Sequence, residues 1–142
     1  MSGQDFQGKV AIVTGASQGI GAATAELLAE RGAQVALLAR SSDLLTQVAD
    51  AIVARGGVAQ ALLADIADQH QVTESFARVQ QMYGPVDILV NAAGQIANVP
   101  FVEMDLETWD RVQQTNIRGV MLCCQAAFRQ MIGRGGTIVN VS

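Results

Sequence analysis

Thr14-Gly15-Ala16-Ser17-Gln18-Gly19-Ile20-Gly21 stands between a run of apolar, partly β-branched residues from Val10 and a stretch of helical period from Ala22 to Arg31. Strand, glycine-rich turn and helix in that order open a crossover unit. The helix N-terminus then presents unpaired amides and the positive end of its macrodipole to whatever sits over the turn. That is a seat for a diphosphate, provided no Cβ atoms keep it away. Gly15 reads as the tight turn out of the strand, Gly19 as the opening through which a ligand approaches the backbone, and Gly21 as the close contact between helix and sheet. Ser17 adds a hydroxyl donor, and Gln18 and Ile20 complete the loop. The spacing Gly-x-x-x-Gly-x-Gly departs from the Gly-x-Gly-x-x-Gly of the commonest dinucleotide folds. Such turns also serve purely conformational ends, so the surrounding pattern decides.

Outward from the turn, short apolar runs alternate with longer helical stretches, the pattern of a parallel sheet covered by crossover helices. The fold class is α/β. Five strands are predicted: Val10 to Thr14, Gln34 to Ala39, Val58 to Leu63, Val86 to Asn91 and Thr137 to Val141. Each is nearly continuous in apolar residues, as strands buried on both faces are. Of the four helical segments between them, three are followed by Gly32, Gly56 and Gly84, where a left-handed cap needs no side chain. Ser41 or Ser42, Asp68 and Asp105 are the expected N-caps. Val72, Phe76, Val79 and Met82 form an apolar stripe directed at the sheet. In the fourth segment the stripe runs Trp109, Val112, Asn116, Val120, Cys123, Ala127 and Met131, so one amide stands where the period demands a hydrophobe. Such an amide, with Gly119 close behind, can distort the helix and free a main-chain carbonyl for water.

The 142 residues suffice for one domain, and no linker, repeat or low-complexity tract divides them. Half of them are apolar and 15% are charged, which excludes disorder. With 9 basic and 13 acidic residues the net charge is -4, without the basic footprint of a nucleic-acid or anionic-membrane binder. The start, MSGQDFQGK, is polar, and no apolar run reaches membrane-spanning length. Cys123 and Cys124 are sequence neighbours, poorly placed for a mutual disulfide, so a reducing cytoplasm is the expected compartment. One histidine, His70, and no paired cysteine spacing give no metal site.

Four features in order carry a resemblance: Thr14 to Gly21, Asp65 after the third strand, Asn91-Ala92-Ala93-Gly94 after the fourth, and Asn116 in the next helix. Together they resemble the short-chain dehydrogenase/reductase family over nearly the whole chain. The resemblance implies a Rossmann-type doubly wound sheet of strand order 3-2-1-4-5, truncated after strand five, since relatives run to about 250 residues. Residues 1–142 are then an incomplete dinucleotide-binding domain. Asp65 and Ile66 would meet the adenine ring, although Asp65 also suits a strand-end turn. Asn91, Ala92, Ala93 and Gly94 would back the cofactor ribose and support the central strands.

At the end of the second strand, where a carboxylate would select an unmodified ribose, stand Ala39 and Arg40. An arginine fork suits a 2'-phosphate, which favours NADP(H) over NAD(H). Gln18, where NADP-preferring relatives carry a second basic residue, speaks against it, and Arg40 also suits a solvated strand end. The implied reaction is hydride transfer between nicotinamide and a carbonyl or secondary alcohol, with acid-base work by a Ser, a Tyr and a Lys helped by an Asn. Only Asn116 is matched. Ser142 corresponds to the first of two small residues, of which the family's catalytic Ser is the second, and Tyr83 lies outside any Tyr-x-x-x-Lys context. The chain alone is therefore expected to be inactive. A dimer or tetramer of the complete protein is implied by the resemblance. The alternative reading is a noncatalytic module that binds a nucleotide or a partner.

Overall fold

The computed structural model describes residues 5–142, so the first four residues of the polar start lie outside it. Its centre is β1 (Val10–Thr14), every residue of which is buried. A strand that buries all its side chains needs packing on both faces, and the alternation of β1 supplies it. Val10 and Ile12 join one core cluster, with Phe76, Leu89, Leu122 and Cys123. Ala11 and Val13 join the other, with Ala25, Leu28 and Leu45. Each fully buried Val, Leu, Ile or Phe contributes about 1.5–3 kcal/mol of transfer free energy, so the sheet's two faces are the main source of stability.

The chain continues through α1 (Gly19–Glu30), β2 (Gln34–Ala39), α2 (Ser42–Ala54), β3 (Val58–Leu63), α3 (Gln69–Tyr83) and β4 (Ile88–Asn91). A short 3-10 turn at Phe101–Glu103 leads to α4 (Leu106–Gln113), a π-helical segment (Gln114–Gly119), α5 (Val120–Met131) and β5 (Thr137–Asn140). All pairings are parallel and the order is β3-β2-β1-β4-β5, a Rossmann-type doubly wound sheet. The order reverses at β1, so the crevice that such sheets use opens at the carboxyl ends of β1 and its neighbours.

Several expectations shift. β4 begins at Ile88 rather than Val86, because Asp87 substitutes its carboxylate for a ladder partner and accepts from the Val10 amide at 2.9 Å. β5 ends at Asn140, although Val141 still donates to the Asn91 carbonyl at 3.0 Å. Burial on both faces holds for β1 and the middle of β2 but not for β3 and β5, the two sheet edges, where most residues are partly or fully exposed. Asp68 and Asp105 cap as expected, accepting from the amides of Gln71 at 3.1 Å and Thr108 at 2.6 Å. Ser41 occupies the α2 cap position but makes no capping bond, and the Ser42 hydroxyl turns to Asp43 instead.

In α3, Val72, Phe76 and Val79 are buried while Met82 is exposed; the spacing of seven from Phe76 brings Tyr83, not Met82, against the core. The fourth stripe is displaced as well. Trp109 is 48% exposed and no residue of α4 is buried, whereas Thr115, Gly119, Leu122, Cys123, Ala127 and Met131 are. A π turn winds wider than an α turn and admits one extra residue, so the apolar phase moves by a position across Gln114–Gly119. The wide turn seats Gly119 on the loop after β3: a Cβ there would stand 2.6 Å from the Ile66 side chain.

Candidate functional site

Gly15 takes φ +63°, which turns the chain sharply out of β1. The turn is also squeezed, since a Cβ on Gly15 would lie 2.6 Å from the main chain of Ala93. Beneath it, the buried Thr14 hydroxyl accepts from the amides of Ala92 and Ala93, each at 3.2 Å, and so clamps the exit of β1 to the exit of β4. Gly21 packs against the Gly15 carbonyl, so α1 starts tight against its own turn. The contact lies where the chain leaves β1, and the helix begins at Gly19, three residues earlier than Ala22.

Gly19 has φ +58° and nothing within 4 Å of where a Cβ would stand. No side chain caps α1, whereas Asp68 and Asp105 fill that role on α3 and α4. An uncapped helix start beside an open backbone leaves amide donors and the dipole available to an anion. Above it lies a cavity of about 390 Å³ lined by Gly15, Ser17, Gln18, Ile20 and Gly21 from the turn, Arg40 just after β2, Asp65 and Ile66 just after β3, and Ala92, Ala93 and Gly94 just after β4. Eleven of the fourteen sequence-derived site residues thus share one wall. The volume is within the usual range for small-molecule sites.

Three are not on that wall. Gly19 forms part of the rim of the turn and is exposed. Asn91 is buried between strands: its Nδ2 donates to Asn140 Oδ1 at 2.9 Å, across the register Asn91 to Asn140, and approaches Cys124 Sγ at 3.4 Å. Asn116 lies behind the β4 turn. Its Oδ1 accepts from the Gln95 amide at 2.7 Å and its Nδ2 donates to the Gln95 carbonyl at 2.8 Å. A loop 21 residues away, not the local helix backbone, therefore satisfies it.

Asp65 does form a turn, its Oδ1 accepting from Ala67 at 3.0 Å, while its own amide donates to Gln71 Oε1 at 2.8 Å. The second carboxylate oxygen takes no part in that turn. Leu38, Ala39, Ser41, Leu44, Ala64 and Thr115 line the same cavity without having been singled out as binding residues. The signal for most of them was available: they stand at the carboxyl ends of β2 and β3 or begin the helix after β2. Leu44 and Thr115 come from helices and carry no motif.

Other candidates fall elsewhere. Tyr83 ends α3, and in a parallel sheet the helix C-termini lie at the amino ends of the strands, away from the crevice; burial raises its hydroxyl pKa. His70 is exposed beside Glu74 at 3.8 Å. Burial, reinforced by Cys124, pushes the Cys123 thiol up to about 12. Among the described residues no three His, Cys, Asp or Glu side chains converge as a metal site requires, and no helix is long and apolar enough to cross a membrane.

The sheet order, the open glycine turn and the clamp between β1 and β4 define a dinucleotide-type Rossmann crevice, and comparison with known proteins places it. Residues 9–142 match the family model for short chain dehydrogenase, and the chain belongs to that family. Gluconate 5-dehydrogenase of Gluconobacter oxydans is 39% identical over 137 residues, covering 96% of this chain and 54% of that protein. A short-chain type dehydrogenase/reductase from Mycobacterium marinum superposes with a TM-score of 0.92 at 43% identity, over 96% of this chain and 56% of that one. A short chain dehydrogenase from Burkholderia cenocepacia, solved in complex with NADP, gives a TM-score of 0.89 at 41% identity, over 95% and 55%. The chain spans about half the length of the curated relatives it matches, between 45% and 60% for the first three.

Proposed function

We propose that this chain is the cofactor-holding part of an NAD(P)-dependent oxidoreductase that reduces a carbonyl or oxidises a secondary alcohol, with NADP(H) preferred. The observation that carries the reading is the uncapped α1 opening at Gly19 into a cavity that also holds Arg40 and Asp65. The Burkholderia cenocepacia relative, solved with NADP, supports it.

The nicotinamide, when bound, gives or accepts the hydride. The first-turn amides of α1, with the Ser17 hydroxyl, hold the diphosphate. Arg40 would hold the ribose 2'-phosphate, since an arginine pairs with phosphate in charge-assisted bonds about twice as strong as neutral ones. Asp65 and the Ile66 amide would hold the adenine edge, and Ala92 to Gly94 would back the cofactor ribose. Asn91 serves the sheet rather than the ligand, tying β4 to β5 beneath that turn. Asn116 has its side chain occupied by Gln95. Its proposed contribution is the main-chain carbonyl, which stands within the π segment Gln114–Gly119 and would accept from a proton-carrying water. Among the described residues no Tyr and no Lys lines the crevice, and its serines, Ser17 and Ser41, belong to the cofactor wall. These residues form one dinucleotide-binding domain of a cytoplasmic homo-oligomeric enzyme, and by themselves they turn over no substrate.

The test is a comparison of kcat/KM with NADPH and NADH for the full-length protein across a panel of ketones and secondary alcohols. Turnover with preference for NADPH supports the reading, and Arg40→Ala should narrow that preference. Absence of any nicotinamide-dependent turnover across the panel contradicts it.

A further inference from the structure

Arg40 and Gln95 are joined across the crevice. Arg40 Nη1 and Nη2 stand 2.8 and 2.7 Å from the Gln95 side-chain amide. A guanidinium offers only N–H donors, so the amide presents its oxygen to both. Arg40 follows β2 and Gln95 follows the β4 turn, and β1 lies between those strands in the sheet. Neighbouring strands are about 4.8 Å apart, so the pair spans about 10 Å of sheet edge over the exit of β1, where the glycine turn begins. The Gln95 main chain is held on both sides by Asn116, at 2.7 and 2.8 Å, which fixes one end of the bridge. Arg40 is exposed, so the other end opens by side-chain rotation alone.

We propose that Gln95 is a latch residue: it holds Arg40 across the crevice in the free protein, and a dinucleotide enters only when that contact opens. The proposal rests on the cofactor reading above. A dinucleotide running from the Arg40 end of the crevice toward Asn116 follows the line that joins Arg40 to Gln95, so the ligand and the closed contact compete for the same space. Affinity for either cofactor is therefore reduced by the fraction of molecules with the latch closed. The two cofactors differ in the partner they offer Arg40 once the latch is open. A 2'-phosphate gives it an oppositely charged partner in place of the neutral amide oxygen, whereas a 2'-hydroxyl does not. The latch thus weakens the binding of both dinucleotides, and only the phosphorylated one compensates Arg40 for the lost contact.

The experiment is the Kd of NADPH and of NADH for the full-length protein and for Gln95→Leu, Arg40→Ala and the double variant, read by nicotinamide fluorescence. Gln95→Leu is expected to tighten both cofactors about three- to tenfold, the net worth of the paired contact between Arg40 and one exposed amide oxygen. Arg40→Ala is expected to tighten NADH by a similar factor while weakening NADPH. Adding Gln95→Leu to Arg40→Ala is expected to change neither constant further. A fold defect weakens both cofactors in every variant and cannot mimic a gain for NADH. Unchanged or weaker NADH binding in both single variants, with the unaltered protein binding normally, overturns the latch alone. If the unaltered protein binds neither dinucleotide, the cofactor reading falls, and the latch with it.

Discussion

Asn116 grips both main-chain polar groups of Gln95, accepting from its amide at 2.7 Å and donating to its carbonyl at 2.8 Å. The two residues are 21 positions apart, one in the loop after β4 and the other in the π segment beyond α4. Asn116 therefore helps to set where the loop after β4 runs, while Thr14 holds Ala92 and Ala93 at its start.

Replacing Asn116 with Ala leaves both Gln95 groups without their partner, at a cost of about 1–3 kcal/mol when such groups stay shielded from water. The expected result is a lower unfolding midpoint in urea with an unchanged m-value, and faster hydrogen exchange at the Gln95 amide. An unchanged midpoint with unchanged exchange shows that the loop holds its course without Asn116.

Two glycine substitutions separate packing from access. Gly21→Ala places a methyl against the Gly15 main chain, which is backbone and cannot move aside. A loss of about 1–3 kcal/mol by thermal unfolding is expected, with loss of dinucleotide binding. Gly19→Ala meets open space, and its cost is the positive φ alone, about 1–2 kcal/mol. It should leave α1 packed while weakening binding, because the methyl stands where the diphosphate approaches. Equal effects of the two substitutions on stability and binding refute this division.

The capping carboxylates predict an acid response. Asp68 and Asp105 have pKa values held below the ordinary 3.8, first by the backbone amides of Gln71 and Thr108 respectively. A lowered folded value means that the stabilisation is complete above the unfolded value and is lost as pH falls through the folded one. The first turns of α3 and α4 are therefore expected to fray as pH drops below about 3.8, the ordinary value. Exchange at the Gln71 and Thr108 amides reports this fraying, and Asp68→Asn and Asp105→Asn should make each site insensitive to that change.

Cys123 is fully buried, with its thiol raised to about 12. At pH about 8 almost no thiolate forms there, so iodoacetamide should leave Cys123 unmodified in the folded protein and label it only in denaturant. Mass-spectrometric mapping of the labelled peptide checks this, and rapid labelling of the native protein at Cys123 contradicts the packing of α5 on the sheet.

Much of the fold was legible because its cause is local. Val10 to Thr14, Gln34 to Ala39 and Val58 to Leu63 announce themselves by apolar runs, and the Gly15 to Gly21 turn by residues that only a strand-to-helix junction needs. What the sequence left dark depends on contacts between distant segments. By apolar content β3 and β5 read as strands buried on both faces, yet among the described residues they are the sheet edges, as the order 3-2-1-4-5 implied by the family resemblance places them. Trp109 and Val112 fit an unbroken 3.6-residue period, but the π turn at Gln114–Gly119 shifts the phase. Asn116 stood out as an anomaly, whereas its partner Gln95 carried no signal, since the bond joins two main-chain groups to an amide far along the chain. Leu44 and Thr115 reach the cavity wall only through tertiary packing.

Every functional statement about this chain depends on the turn from Gly15 to Gly21 seating the diphosphate of a nicotinamide dinucleotide. A crystal structure of the full-length protein grown with NADPH addresses that directly. Diphosphate oxygens are expected within hydrogen-bond distance of the amides at the start of α1, with the 2'-phosphate against Arg40. An ordered, open crevice with no density over that turn, or the dinucleotide bound elsewhere on the molecule, contradicts it.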